Sequence, residues 1–375
     1  MSVAARWLML VLFCALLLPP APLQAARSKA LHVVLLTPRN DAFWTLFAQI
    51  TQAAADDLDV RLEWIPALND AQKQLRDAQA VLQRQRDRPD VLIYKNYDGT
   101  AVPILELAEK QRVYSLIFED GLTRSEAQRY GRPRQHFKYW LGEFVPDHLE
   151  AGYALTEALI ALARERRGPD DTGPIQMGVI AGNMEETSSS DRIKGLQIAL
   201  SQHSDVLVHD IQAGFWQEPV AYRKALRLLQ AHPDLDLLWT ANDTMPVGAR
   251  RAATELGRQQ LIIGGVGSTP PGAREVQQKR IQVSVGGNFL LGGFVMVLLY
   301  DYFSGYDFAR ESTMMRLGMY TFYPHNVGRY ADALADNRWD QIDFSRFSRA
   351  RNPALRKYNF GFQPILAQLE ASAGK

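Results

Sequence analysis

The chain has 375 residues, 42 of them basic and 41 acidic, with 47% hydrophobic residues and one cysteine, Cys14. A net charge of +1 excludes the electrostatic footprint of a nucleic-acid binder, and a lone cysteine excludes an internal disulfide. The length exceeds what one hydrophobic core usually holds, so two lobes are expected.

Residues 1–26 read as a cleavable secretory signal peptide. Arg6 supplies a positive start, Trp7 to Leu18 an apolar run, and Leu23, Gln24 and Ala25 a small-residue end. The run is too short to span a bilayer, which needs roughly 20 apolar residues. Cleavage near Ala25 or Ala26 would remove Cys14 and Arg6, leaving 41 basic and 41 acidic residues and no thiol for catalysis. A periplasmic location follows from such a signal.

Beyond it, short runs rich in Val, Ile and Leu alternate with helix-like stretches. The runs are Leu31–Leu36, Val60–Ile65, Val91–Tyr94, Val113–Phe118, Ile175–Ala181, Val206–Ile211, Leu235–Thr240, Leu261–Val266 and Ile281–Val285. Their uniform apolarity predicts parallel strands buried on both faces. Phe43, Phe47, Ile50 and Ala54 recur at helical spacing behind Asp41, which is placed as a cap. Helices are also predicted over Ala71–Gln85, His148–Arg164, Ile193–Gln202, Tyr222–Leu229 and Val247–Leu256. The expected fold class is α/β, with doubly wound parallel sheets flanked by helices. The pattern breaks at Gln135–Asp147 and at Arg166–Pro174, and the first break suits a passage from one sheet to another. Ligands of such sheets sit beyond the carboxyl ends of the strands, so the loops following them are the place to look.

Three stretches then carry a family resemblance. They are Thr37–Trp44, Ala231–Asp234 followed by Leu238–Gly248, and Gly264–Gly272. In order and spacing they resemble the type I periplasmic solute-binding proteins, the ribose- and galactose-binding group that includes autoinducer-2 receptors. The resemblance implies two similar lobes joined by three crossings, near residues 142–146, 286–289 and 315–320. The first lobe would hold residues 29–143 and 288–317, the second 146–285, with 318–375 as an extension packing across both. DNA-binding repressors share this fold, but the signal peptide and the lack of an N-terminal helix-turn-helix argue against one.

The resemblance also implies ligand contacts. Phe43 and Trp44 fall at the family's aromatic pair, and Trp216 at its aromatic on the other lobe; flat rings suit the C–H faces of sugars. Phe43 fits a buried helix face equally well. Asn242 falls at a ligand-contacting amide, while Asp243 is read as the cap of the next helix. Asp41 matches a polar contact or a cap, and Lys95 a polar contact or a solvated lysine. Glu119 and Asp120 end a strand where the family carries an acid. Three departures stand out: Gly267 replaces an acid, Gly287 an amide with Asn288 adjacent, and the expected arginine falls near Ser190 with Arg192 two positions on. Missing partners would leave sugar hydroxyls unpaired, at about 1–3 kcal/mol each. The acids Asp41, Asp98, Glu119, Asp120, Glu143, Glu185 and Glu186 leave a cationic or larger guest as an alternative.

No nucleophile elbow, zinc-protease helix or P-loop occurs. The expectation is a monomeric, non-catalytic binder without cofactor or metal. It would take a small sugar-like or other polar solute and hand it to a membrane importer; signalling through a sensor kinase is the alternative. The tail is read as a packed strap, or alternatively as a docking surface for a membrane partner.

Overall fold

A computed structural model describes residues 29–168, 170–334 and 339–373. The expected signal peptide and Cys14 lie outside the described residues. No described helix is long and apolar enough to cross a membrane.

The first lobe is built on a parallel six-stranded sheet. Its strands are β1 (His32–Thr37), β2 (Arg61–Pro66), β3 (Val91–Tyr94), β4 (Tyr114–Phe118), β5 (Trp140–Pro146) and β11 (Met314–Leu317), in the order β11-β5-β4-β3-β1-β2. Helices α1 (Ala42–Asp57), α2 (Ala71–Leu82), α3 (Ala101–Gln111) and α4 (Arg124–Tyr130) connect them. The second lobe repeats the plan with β6 (Ile175–Ala181), β7 (Val206–Ala213), β8 (Leu237–Thr240), β9 (Ile262–Gly267) and β10 (Val283–Gly286). The order is β12-β10-β9-β8-β6-β7, where β12 (Tyr320–Phe322) runs antiparallel to β10. Its helices are α5 (His148–Arg167), α6 (Thr187–Leu200), α7 (Glu218–Ala231), α8 (Met245–Glu255) and α9 (Pro270–Gln277).

The chain passes between the sheets three times: after β5 at Asp147, after β10 at Gly287, and between β11 and β12 at Gly318 and Met319. At Gly287 the backbone takes φ +106, a conformation that side chains resist, so glycine suits this corner. The chain then returns to the first lobe through α10 (Leu291–Phe303), which packs on α1.

Most central strands are buried throughout, as their composition predicts. The edge strands β2 and β7 are not; both carry exposed residues, because each has a hydrogen-bonded neighbour on one side alone. Several elements escaped the sequence pattern, β5 and α10 among them. β5 sits inside the Gln135–Asp147 break, its apolar run interrupted by Gly142 and Glu143, yet every residue is buried. α10 is apolar on all sides and nearly fully buried, so it carries no amphipathic period.

The tail packs on the first lobe and the hinge. Phe344 and Phe347 lie edge-on to Phe294 of α10, with centroids at 6.2 and 5.4 Å. Tyr330, in α11 (Gly328–Leu334), stacks on Phe289 and Phe322 beside the crossings. Its hydroxyl donates to the Ser268 carbonyl of the second lobe. α11 also rests on α9 and on the last helix, α12 (Phe362–Ala373).

Candidate functional site

The carboxyl ends of both sheets open onto one cavity of about 1040 Å³. Walls come from each lobe: the start of α1 and the ends of β3 and β4 on one side, and the loops after β6, β7, β8 and β9 on the other.

Asp41 caps α1, accepting from Trp44 N at 3.1 Å while pairing with Arg39 at 2.7 Å. The cap fixes the first helical turn and so turns Phe43 and Trp44 toward the cavity they line. Phe43 is half-buried and stands edge-on to Trp44 at 5.1 Å. Trp44 is buried and also packs on Phe47 and Phe118, so it serves as core and wall together. From the other lobe, Trp216 is half-buried and lies against Gly182, where a Cβ would collide with its ring. The Arg192 guanidinium sits 5.6 Å from the Trp216 ring, a cation–π contact.

One end of the cavity is polar. Asn288 Nδ2 donates to Glu119 Oε1 at 3.0 Å. The buried atoms Glu119 Oε2, Asn288 Oδ1, Arg192 Nε and Trp44 Nε1 have no hydrogen-bond partner among the described residues. All four residues line the cavity. Burial pushes the Glu119 carboxyl up to about 7, against the pull of Arg192. His148 beside it is held neutral: burial, then the Arg192 charge, push it down to about 3. Its Nε2 therefore donates to the Glu119 carbonyl at 3.0 Å, and its Nδ1 accepts from Arg192 at 3.1 Å. The 4.0 Å approach of His148 to the Glu119 carboxylate is accordingly not an ion pair.

A buried clasp joins the lobes beside this end. Lys95 of the first lobe pairs with Asp120 and, across the gap, with Glu186 at 2.6 Å. Burial opposes the Lys95 charge, but Asp120 and Glu186 outweigh it and raise its pKa. Asp120 accepts from Thr187 Oγ1 at 2.8 Å and from Ser188 N, in the first turn of α6. Burial is again outweighed, here by the Lys95 charge and by hydrogen bonds from Lys95 and Thr187, and the carboxyl is lowered. Glu186 also accepts from Trp216 Nε1 at 3.2 Å, which ties the clasp to the aromatic wall.

Several expectations need correction. Ser190 does not line the cavity; its hydroxyl donates to the Thr187 carbonyl. Ser188 and Arg192, four apart, share the helix face that does, and Ser190 lies between them on another face. Lys95 is not solvated but buried. Asp120 does not line the cavity and clasps the lobes instead. Asn242 lines it, yet its side chain is occupied: Oδ1 accepts from Met245 N at 2.9 Å, and Nδ2 donates to the Trp216 carbonyl at 3.1 Å. Asn242, not Asp243, therefore satisfies the N–H that opens α8. Asp243 accepts from Ser268 N at 2.8 Å and from Thr269 N at 2.5 Å. A Cβ at Gly267 would strike the Asp243 carboxylate, so the missing acid leaves no gap there. Three of the acids are matched internally: Asp41 by Arg39, and Asp120 and Glu186 by Lys95. Sequence reasoning missed Ser188, Phe215 and Gln49 as wall residues. Helical spacing from Arg192, four residues on, could have found the first.

Two βα lobes, three crossings and a cavity at their facing strand ends define the architecture of a type I periplasmic binding protein. The chain belongs to the periplasmic binding protein domain family, whose model matches residues 32–305. It is 21% identical over 261 residues to the ribose import binding protein RbsB of Escherichia coli (strain K12), covering 69% of this chain and 80% of that one. A crystal structure of a periplasmic sugar-binding protein from Pseudomonas fluorescens superposes with a TM-score of 0.80 at 31% identity, covering 89% of this chain and 99% of that one. The fructose-binding periplasmic domain of the hybrid two-component system BT1754 superposes at 0.69 with 17% identity, covering 82% and 95%.

Proposed function

We propose that this protein is a periplasmic sugar-binding component of an ABC importer, trapping its ligand between the lobes and presenting the closed form to the membrane permease. The observation that carries this reading is the set of four unpartnered polar atoms on Glu119, Asn288, Arg192 and Trp44. Two are acceptors and two are donors. A hydroxyl both donates and accepts, so adjacent hydroxyls on one ring satisfy such a mixed set where a simple cation or anion would not. Trp44 and Trp216 supply apolar faces for the C–H surface of the same ring. Ligand closes the lobes insofar as it binds the closed arrangement better than the open one. The role is binding without turnover, so the ligand leaves unchanged.

A thermal-shift screen of aldoses, polyols and amines tests this. An aldose at saturating concentration should raise Tm by a few degrees. A shift with amines and none with any sugar would overturn the sugar reading. Signalling to a sensor kinase is the second reading, favoured by the likeness to a two-component periplasmic domain. Reconstitution with the permease separates the two, because an importer component stimulates uptake and a sensory adaptor does not.

A further inference from the structure

The cavity is larger than a single sugar needs. A hexose at protein packing density fills on the order of 200 Å³, a small part of the 1040 Å³ between the lobes. The same cavity also reaches Thr45, Leu46 and Gln49 along α1, and Pro270, Pro271 and Arg274 at the start of α9. Gln49 lies about 9 Å further along the α1 axis than Phe43. A pyranose, with bonds of about 1.5 Å, spans roughly 5 Å. The space beyond the polar end therefore admits a second ring.

Phe215 offers a second aromatic surface to the cavity. It lines the cavity and is 50% exposed, an unusual state for phenylalanine in a rigid setting. The setting is rigid because Phe215 and Trp216 both adopt left-handed backbone angles, φ +53 and +63. Such strain persists only where surroundings enforce it, and it clusters at ligand clamps. Here the surroundings are identifiable. Gly214 sits so close to Met245 and Ile180 that a Cβ would collide with both. The Trp216 carbonyl accepts from Asn242 Nδ2 at 3.1 Å and from Thr244 Oγ1 at 3.0 Å. The loop is thus pinned with an open phenyl face presented to the cavity. Gln49, Thr45 and Thr244, all lining the same cavity, offer amide and hydroxyl groups. An aromatic platform with neutral donors and acceptors suits another sugar ring better than a wholly apolar group.

We propose that the cleft takes a saccharide of two or more residues, one ring at the Glu119–Asn288–Arg192 end and the next against Phe215. This rests on the sugar-binding reading above and extends it. Calorimetric titration compares D-glucose, D-galactose and D-xylose with cellobiose, maltose, lactose and xylobiose. At least one disaccharide should bind about tenfold more tightly than its constituent monosaccharides. Phe215→Ala should abolish that advantage without lowering Tm, and Gln49→Ala should reduce it. A monosaccharide binding as tightly as all its disaccharides would overturn the extended site and leave sugar capture standing. A disaccharide advantage that survives both substitutions would overturn the placement of the second ring. If no sugar binds at all, both readings fail together.

Discussion

Asp120 ends a strand of the first lobe, yet it accepts the backbone N–H of Ser188 in the first turn of a helix of the second lobe. The helix has no side-chain cap of its own. One of its first N–H groups and its positive dipole end are therefore served by a carboxylate across the cleft, and only while the lobes are together. Lys95 and Glu186 add an ion pair over the same gap. Closure thus has a contribution built into the chain as well as one supplied by ligand.

Asp120→Ala should shift the protein toward the open arrangement. Loss of a helix cap costs about 1 kcal/mol, which amounts to roughly five- to tenfold weaker ligand binding. Small-angle scattering of the variant should give a larger radius of gyration than wild type. An unchanged radius together with unchanged affinity would mean the contact does not govern closure. The lowered Asp120 pKa sets the pH window. Stability from this carboxylate is present above its unfolded value near 3.8 and is lost as pH falls through the lower folded value.

Glu119 behaves oppositely. Its folded pKa is raised from 4.5 to about 7 by burial. The folded chain binds this proton more tightly than the unfolded chain, so the contribution is complete below pH ~4.5 and is lost as pH rises through about 7. A ligand hydroxyl donating to Oε2 favours the carboxylate, so binding should release a proton and strengthen between pH 6 and pH 8, a range bracketing ~7. Calorimetry in two buffers of different ionisation enthalpy measures that release. Glu119→Gln should abolish it; proton uptake on binding would contradict the assignment.

Trp216→Ala should weaken ligand binding by about tenfold or more with a small change in Tm, because the indole is half-buried and faces the cavity. Asn242→Ala should do both. It removes the acceptor for the Met245 N–H, worth about 1 kcal/mol, and one of the two bonds to the Trp216 carbonyl, so Tm and affinity should fall together. Chemical denaturation beside titration of the two variants separates these outcomes. Affinity untouched in Asn242→Ala would detach it from the site.

In the tail, Phe344 is fully buried against Phe294 and Gly293. Phe344→Ala should destabilise the protein by about 3–5 kcal/mol, read as a lower denaturation midpoint. A loss under 1 kcal/mol, well below that range, would show that the extension is dispensable to the core.

The alternation of apolar runs and helical stretches made both sheets legible, because buried parallel strands carry few polar residues. β5 was hidden since Gly142 and Glu143 break its run, and Glu143 is tolerated there through its bond to Leu122 N at 3.2 Å. Phe43, Trp44 and Trp216 line the cavity and were reached through the family resemblance, whereas Phe215, beside Trp216, was missed. The roles of Asp120, Asn242 and Asp243 were not legible, because each is decided by partners 25 to 68 residues away that no local pattern specifies. Two neighbouring polar residues look alike in sequence; which one faces the cavity depends on the turn of one helix, as Ser188 and Ser190 show.

The most direct test of capture by the polar end of the cleft is native mass spectrometry of wild type and Asn288→Ala after incubation with a mixture of aldoses. Wild type should carry one intact sugar per chain, and Asn288→Ala, with Glu119 losing its amide partner, should carry none under the same conditions. Equal occupancy in both proteins, or no sugar on the wild type, would contradict the account.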